Sequence, residues 1–184
     1  MGLKAYFQQR ALSREESNNS RLKVLKNYTE IKSILVLCSV KSDDEINSWK
    51  VYFDNLSNHI KKIDTVFFID DKGRKSDDTS SEECIHIYPY QINWLGKLKE
   101  KEKFNEIHSF PYDLLIDLNF NNQFVLNLSF VKSVAGLKVG SYHRKMMSKY
   151  TDLIIKTDSA EQKQKLYIDQ VFYYLRQINS NGSS

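Results

Sequence analysis

Short apolar segments alternate with helix-length amphipathic segments along this 184-residue chain, a pattern that predicts an α/β domain. In the clearest unit, at 112–142, the apolar run LLIDL precedes an apolar helical segment and a second short strand, LKVG. Parallel strands need crossover connections of this kind. We therefore predict one Rossmann-like, three-layer α/β domain at 33–178, with a mostly parallel sheet of about five or six strands. A short basic N-terminal helix and linker at 1–32 precede this domain, and a disordered tail at 179–184 follows it.

The N-terminal helix is predicted from the spacing of its apolar residues. Leu3, Tyr6, Phe7 and Ala11 fall on one face at helical intervals, which indicates an amphipathic helix at 2–14. The polar run SREESNNS follows, and we expect it to be a linker or a frayed helix end.

The next elements are a strand and a long helix. The run ILVLCSV at 34–40 is apolar enough to be a strand buried on both faces. Ser42 precedes Glu45 by three residues, the spacing of a capping box that begins a helix. Apolar residues then recur every three or four positions, which predicts one helix packed on the sheet through Ile46, Trp49, Phe53, Leu56, Ile60 and Ile63.

The remaining elements continue the alternation. We predict a turn around Trp94–Gly96, a helical charged stretch after it, an apolar helix at 124–134 and a last helix capped by Asp158 or Ser159. A polar loop at 70–83 separates two of the strands. The predicted strands after the first are 65–69, 84–88, 114–118, 137–140 and 153–156.

The composition of the chain indicates the cellular location of the protein. No stretch approaches the roughly 20 apolar residues that cross a bilayer, and the N-terminus lacks the apolar core of a secretory signal. Cys38 and Cys84 sit inside apolar runs, so we expect two buried thiols. The abundance of Lys, Asn and Ile is typical of AT-rich bacterial genes. These features predict a cytoplasmic bacterial protein.

The basic residues are concentrated at the N-terminus. Residues 1–32 hold seven Lys or Arg against three Glu, whereas 33–184 balance, so this segment carries the whole net charge of +4. We expect it to dock on a protein or nucleoprotein partner, and a peripheral contact with an anionic membrane is a weaker alternative. A solvated basic helix would have the same composition. The predicted contact residues are Lys4, Tyr6, Phe7, Arg10 and Arg14.

A ligand site is predicted where the strands end, because open parallel sheets bind ligands beyond their carboxyl edge. Asp70, Asp117 and Asn119 follow strands and could bind a hydroxyl or act as a base. Asp and Asn at such positions also cap the next helix, and we give that role the greater weight for Asp117 and Asn119. No glycine-rich phosphate loop is present, and the four histidines lack metal-ligand spacing. We predict no cofactor and no metal.

A basic cluster lies beyond the strand that ends at Gly140. Lys138, His143, Arg144 and Lys145 surround this glycine in the sequence and could together bind a phosphate or a carboxylate. A solvated basic loop is the alternative interpretation.

The strand–helix–strand unit resembles part of the N-terminal domain of heptosyltransferase-type glycosyltransferases. The resemblance covers about thirty residues and rests on Asp113, Asp117, Ala135, Val139 and Gly140. Such enzymes hold the nucleotide sugar largely in a second Rossmann-like domain, for which this chain has no room. The resemblance therefore implies at most a glycosyltransferase-like half with a phosphate or sugar-nucleotide ligand.

Most of the chain is more similar to an uncharacterised family of small Bacteroidota proteins. The similarity rests on the segments LKAYFQQRAL, NWLGKLK and YDLLI, and on Trp94, Gly96, Asp113, Lys138 and Gly140. This family implies the fold and brings no activity with it. Our leading functional hypothesis is a non-enzymatic binding module, and the alternative is a small enzyme or ligand-binding domain.

Overall fold

The computed structural model describes residues 2–56, 59–71, 84–99, 102–156 and 164–178, and within them six parallel strands form one sheet. The strands are β1 (Ser33–Val40), β2 (Lys62–Ile69), β3 (Cys84–Ile87), β4 (Leu114–Leu118), β5 (Leu137–Ser141) and β6 (Leu153–Ile155). Their order is β3-β2-β1-β4-β5-β6, in which the chain runs outward from β1 to one edge and from β4 to the other. This is the strand order of a doubly wound Rossmann-like sheet.

Helices cover both faces of the sheet. The α-helices are α1 (Leu3–Ser17), α2 (Asp43–Leu56), α3 (Glu102–Ser109), α4 (Phe124–Lys132) and α5 (Gln164–Gln177). Shorter 3₁₀ helices lie at Tyr28–Glu30, Pro89–Gln91 and Lys145–Tyr150. Among the described helices, none combines the length and the apolar content needed to cross a bilayer.

Alternate residues of the central strands enter two separate cores. Along β1, Ile34, Val36 and Cys38 pack with α2 and α5 on one face. Leu35 and Leu37 pack with α1, α3 and α4 on the other face. The arrangement has three layers and confirms the predicted α/β fold with its parallel sheet.

α2 is shorter than the apolar spacing predicts. The helix ends at Leu56, and Ile63, expected as the last residue of its stripe, lies in β2. Ile60 is buried from the connection, and Ile63 packs on the same core from the strand. The regularly spaced apolar residues are therefore buried in one shared core, although they do not all belong to one continuous helix.

α1 is longer than predicted and buries a different residue. It continues to Ser17, through much of the segment predicted as a linker, and Leu12 is completely buried against the sheet side of the domain. Leu3, Tyr6 and Phe7 remain 69%, 52% and 40% exposed. The C-terminal half of the helix thus supplies its buried apolar contact, and the helix packs on α4.

Other boundaries agree with the predictions to within a few residues. β4 spans the predicted 114–118, and the predicted turn before α3 contains Gly96 with a φ of +82°. Residues 72–83 of the predicted loop, the cap at Asp158 or Ser159 and the predicted tail lie outside the described residues.

Candidate functional site: a cavity at the carboxyl ends of β1 and β4

A cavity of about 520 Å³ opens beside the carboxyl ends of β1 and β4. Its walls are the end of β1, the first turns of α2 and α5, and the turn at Phe120 and Asn121 that follows β4. The two halves of the sheet diverge between β1 and β4, so their connections leave a crevice there. The cavity therefore occupies the position at which open α/β sheets bind ligands.

Gln164, the first residue of α5, joins the two halves of the sheet below this cavity. Its Nε2 donates to the carbonyl oxygens of Ser39 at 3.2 Å and of Leu118 at 3.3 Å, one from each central strand. Its Oε1 lies 3.5 Å from Sγ of Cys38. Because one amide spans both strands, the start of α5 is fixed over the point of divergence.

A lysine with a fixed orientation forms one wall. The Lys165 ammonium donates to the Ser48 carbonyl at 3.0 Å and to the Ser48 hydroxyl at 2.6 Å. It also lies 5.6 Å from the ring centre of Trp49 and 5.7 Å from that of Tyr52. A lysine has three donors, so the described contacts leave one N–H for a bound group.

Other polar groups face the same space. Ser39 also lines it, but its hydroxyl is buried without a hydrogen-bond partner among the residues the structure describes, and the alternation along β1 turns it to the face opposite Cys38. Glu45 accepts the backbone N–H of Lys41 at 3.0 Å, which holds the carboxylate at the start of α2, and the Lys41 side chain lines the cavity. The walls thus combine cations, one carboxylate and the aromatic residues Trp49 and Phe120.

The cysteines have the character that their apolar surroundings predicted. Both are free and buried. Burial raises the pKa of the Cys38 thiol well above its ordinary value, and the carboxylates of Glu45 and Asp117 raise it further. Burial also raises the pKa of Cys84. Neither thiol is therefore prepared as a nucleophile at neutral pH.

Asp117 is engaged inside the protein and does not line the cavity. Its carboxylate forms a buried ion pair with Arg144 and accepts the backbone N–H of Asn119 at 3.0 Å. Burial raises the pKa of Asp117 above its ordinary value, although the Arg144 guanidinium acts in the opposite direction. The Arg144 guanidinium also donates to the side-chain oxygen of Asn127.

Asn119 holds the chain that leads into α4. Its Oδ1 accepts the N–H of Gln123, and its Nδ2 donates to the Gln123 carbonyl, both at 2.8 Å. Gln123 directly precedes the first residue of α4, so this is a capping-type role in the turn before the helix. The same Nδ2 donates to Asn127 at 2.9 Å. Asn119 is therefore part of the buried network that contains Asp117.

The predicted basic cluster does not converge on one point. Lys138 is buried and donates to the carbonyls of Phe130 and Val131 at the end of α4, whereas Arg144 turns inward to Asp117. His143 and Lys145 are exposed. The four side chains lie in different environments around β5, since Lys138 and Arg144 are buried with different partners and the other two are exposed.

Two further predicted residues lie outside the cavity lining. Asp70 follows β2, is exposed and donates its backbone N–H to the Val40 carbonyl. Gly140 is buried in β5, where a Cβ would lie 3.2 Å from the Thr151 side chain. Glycine at this position therefore permits the close approach of Thr151 to the strand.

The predicted partner residues all lie at the surface of α1. Lys4, Tyr6, Phe7, Arg10 and Arg14 are exposed. Gln8, on the inward side, donates to the Leu95 carbonyl at 2.9 Å and so joins the helix to the turn that carries Trp94. Trp94 is 65% exposed.

The principal cavity residues were not identified from sequence. Trp49 was assigned to the core stripe of α2, and for the last helix only a cap at Asp158 or Ser159 was predicted, so Gln164 and Lys165 were not identified. The available signal was topological: the helix that follows the last strand can return to the point where the sheet diverges. Among the described residues, no group of three His, Cys, Asp or Glu side chains could hold a metal ion.

The strand order and the position of the cavity define an α/β protein of the doubly wound, Rossmann-like class. Residues 4–178 match a family of unknown function (DUF6913), and because the match spans most of the chain, the protein belongs to that family. No curated protein and no solved structure gives a significant match. The family match agrees with the predicted membership of an uncharacterised family.

Proposed function

We propose that this protein is a ligand-binding α/β protein that holds a small anionic molecule in the cavity beside β1 and β4. The observation that carries the proposal is a 520 Å³ cavity at the point where the sheet diverges. A volume of this size lies within the range of small-molecule sites in proteins. The proposal develops the ligand-binding alternative that the strand-end residues indicated.

The chemistry of the walls supports an anionic ligand with an apolar or planar part. Lys165 keeps one donor for a bound group, and Lys41 adds a second positive charge. Trp49 and Phe120 offer surfaces against which a ring or an apolar group can pack. Glu45 can bind hydroxyl or amino groups of the same ligand. A sugar nucleotide combines these features, as the glycosyltransferase resemblance implied.

Thermal-shift screening with nucleotides, sugar nucleotides and phosphorylated sugars tests the proposal, followed by titration calorimetry of each compound that raises the melting temperature. Lys165→Met should weaken binding at least about tenfold, since a hydrogen bond to a charged group contributes about 1.5–3 kcal/mol. Lys50→Met is the matched control, because Lys50 is an exposed lysine of α2 outside the cavity lining. Equal loss in both variants, or no hit from the panel, contradicts the proposal.

Ser39→Ala provides a second control, because it removes a buried hydroxyl and leaves the accessible surface of the cavity unchanged. Removing a buried hydroxyl that has no partner should leave the melting temperature unchanged or raise it. Because this hydroxyl faces away from the cavity, Ser39→Ala should leave the dissociation constant of the ligand unchanged, in contrast to Lys165→Met. We place this function in the cytoplasm, in accord with the two free, buried thiols.

A second candidate function is docking on an acidic protein through the outward surface of α1. Lys4, Arg10 and Arg14 supply positive charge there, and exposed Tyr6 and Phe7 supply aromatic surface. Aromatic residues and arginine are enriched at protein interfaces, which favours this surface over a merely solvated helix.

Site-specific photo-crosslinking in the native host tests the second candidate. A crosslinker at Phe7 should capture a protein that one at Tyr173, an exposed aromatic of α5, does not capture. Arg10→Glu combined with Arg14→Glu should abolish the crosslink. Flotation of the purified protein with anionic vesicles, lost in the same double variant, would instead assign the surface to a membrane.

A further inference from the structure

A second, smaller cavity lies away from the first and shares none of its lining residues. It has a volume of about 140 Å³ and is enclosed by the end of α1, the chain after it, β5 and the 3₁₀ helix Lys145–Tyr150. At about 30 Å³ per water molecule, this space holds on the order of four or five waters. It therefore accommodates a single small group and is too small to enclose a whole nucleotide.

Positive charge dominates the lining of this cavity. Arg21 and Lys23 both pair with Asp152, at 2.7 and 3.1 Å, so two cations share one carboxylate. Lys149 pairs with Glu16 at 3.6 Å. These contacts neutralise only part of the charge, because a fourth cation lines the same space.

That fourth cation is Lys138, which is only 2% exposed. Its ammonium donates to the carbonyls of Phe130 at 2.6 Å and Val131 at 3.1 Å, and the described residues give it no carboxylate partner. A lysine has three donors, and these two bonds leave one. Four cations thus face two carboxylates, which leaves an excess of two positive charges when Lys138 is protonated.

Capping of α4 accounts for only some of these side chains. Asn19, Arg21 and Lys138 donate to carbonyls at and just beyond the C-terminus of the helix, where cations are favoured. Lys23 and Lys149, by contrast, reach the cavity through ion pairs with carboxylates. Each of the four cations therefore has a bonding partner, while two of the positive charges have no carboxylate among the described residues to balance them.

We propose that this cavity binds a tetrahedral dianion of the phosphate class, either inorganic phosphate or the terminal group of a phosphomonoester. The dianion balances the two excess charges and receives the remaining Lys138 donor. The site is independent of the ligand proposed for the larger cavity, because no residue is common to the two linings.

The protonation state of Lys138 makes ligand binding at this site depend on pH. Burial lowers the pKa of Lys138 to about 7; Arg21 and Lys23 lower it further, while Asp152 and Glu16 raise it. The nearby His108 stays neutral, since burial lowers its pKa to about 3. A bound dianion favours the protonated amine, so a ligand that stays a dianion should bind more tightly below pH 7.

Calorimetric titration with inorganic phosphate and with glycerol phosphate, at ionic strength held constant with chloride, tests the site. We expect saturable binding that Lys149→Gln and Lys23→Gln each weaken at least about tenfold. Lys145→Gln is the matched control, because Lys145 is an exposed lysine of the same 3₁₀ helix outside the lining. Tighter binding of glycerol phosphate would identify an organic phosphate as the ligand, and tighter binding of inorganic phosphate would identify the free ion.

Sulfate provides the pH arm, because it stays a dianion from pH 6 to pH 8. Its affinity should fall about tenfold between these pH values, as expected for one lysine with a pKa near 7, and Lys138→Met should remove that dependence. No saturable binding, or equal weakening by Lys145→Gln, overturns the proposal. Lys165→Met should leave phosphate binding unchanged, which separates this site from the larger cavity.

Discussion

Arg144→Met should be among the most destabilising single substitutions in this protein. The Arg144 guanidinium pairs with Asp117 and also donates to Asn127, and the side chains of Arg144 and Asp117 are 6% and 2% exposed. Removing the arginine leaves the Asp117 carboxylate buried without its counter-charge, because the remaining Asn119 N–H supplies only a neutral hydrogen bond. Breaking one side of a buried ion pair costs about 3–5 kcal/mol.

The pH dependence of this loss distinguishes it from a packing defect. Without Arg144, the pKa of Asp117 rises further above its unfolded value of about 3.9, so folding takes up a proton. The deficit is therefore largest at neutral pH and shrinks as the pH falls through the raised pKa. Urea denaturation of variant and parent at pH 7 and pH 5 measures both effects.

A double variant provides the control for this prediction. Combining Arg144→Met with Asp117→Asn removes both charges and should recover much of the lost stability, because no unpaired ion stays buried. Lys145→Met, at the next residue but exposed, should change the free energy of unfolding by less than about 0.5 kcal/mol. A loss below about 1 kcal/mol for Arg144→Met, or one that grows as the pH falls, would refute the reasoning.

Three further substitutions test other parts of the fold. Leu12→Ala should cost about 2–5 kcal/mol in chemical denaturation, whereas Leu3→Ala on the exposed part of the same helix should be near neutral; equal effects would contradict the anchoring of α1 by its second half. Gly96→Ala should lower stability by about 1–3 kcal/mol, because φ is +82° and the new Cβ would lie 3.1 Å from Phe124; an unchanged melting temperature counts against this conformation. Parent stability should rise relative to Lys138→Met between pH 7 and about 10, since the unfolded state still binds the lysine proton there and the folded state does not; a flat difference would place the amine in water.

The fold was predictable because its signals are local. Continuous apolar runs such as ILVLCSV become strands buried on both faces, and β4 has the predicted bounds. The end of α2 was misassigned, since burial of Ile60 and Ile63 on one core repeats the helical spacing without a helix. Strand order required the three-dimensional structure, because no sequence pattern states which strand lies beside β1.

The site was less predictable, because its side chains come from distant parts of the sequence. Residues at strand ends were identified by position, but position does not reveal whether a side chain faces a cavity or a buried partner. Asp117 pairs with Arg144, 27 residues later in the chain, whereas Lys165 reaches the cavity from the last helix. Contacts over such sequence distances depend on the packing of complete elements.

The larger cavity forms during folding only when β1 pairs with β4, because its walls come from both halves of the sheet. Ile34 lies opposite Leu114, so this central pairing closes a loop of about 80 residues, whereas β1 and β2 are joined through a single helix. Closure of long loops is entropically unfavourable and slows folding. If the two halves of the sheet form first and join late, a ligand of the cavity binds only the finished molecule. It should then slow unfolding and leave the refolding rate unchanged, which stopped-flow measurements with and without ligand would detect.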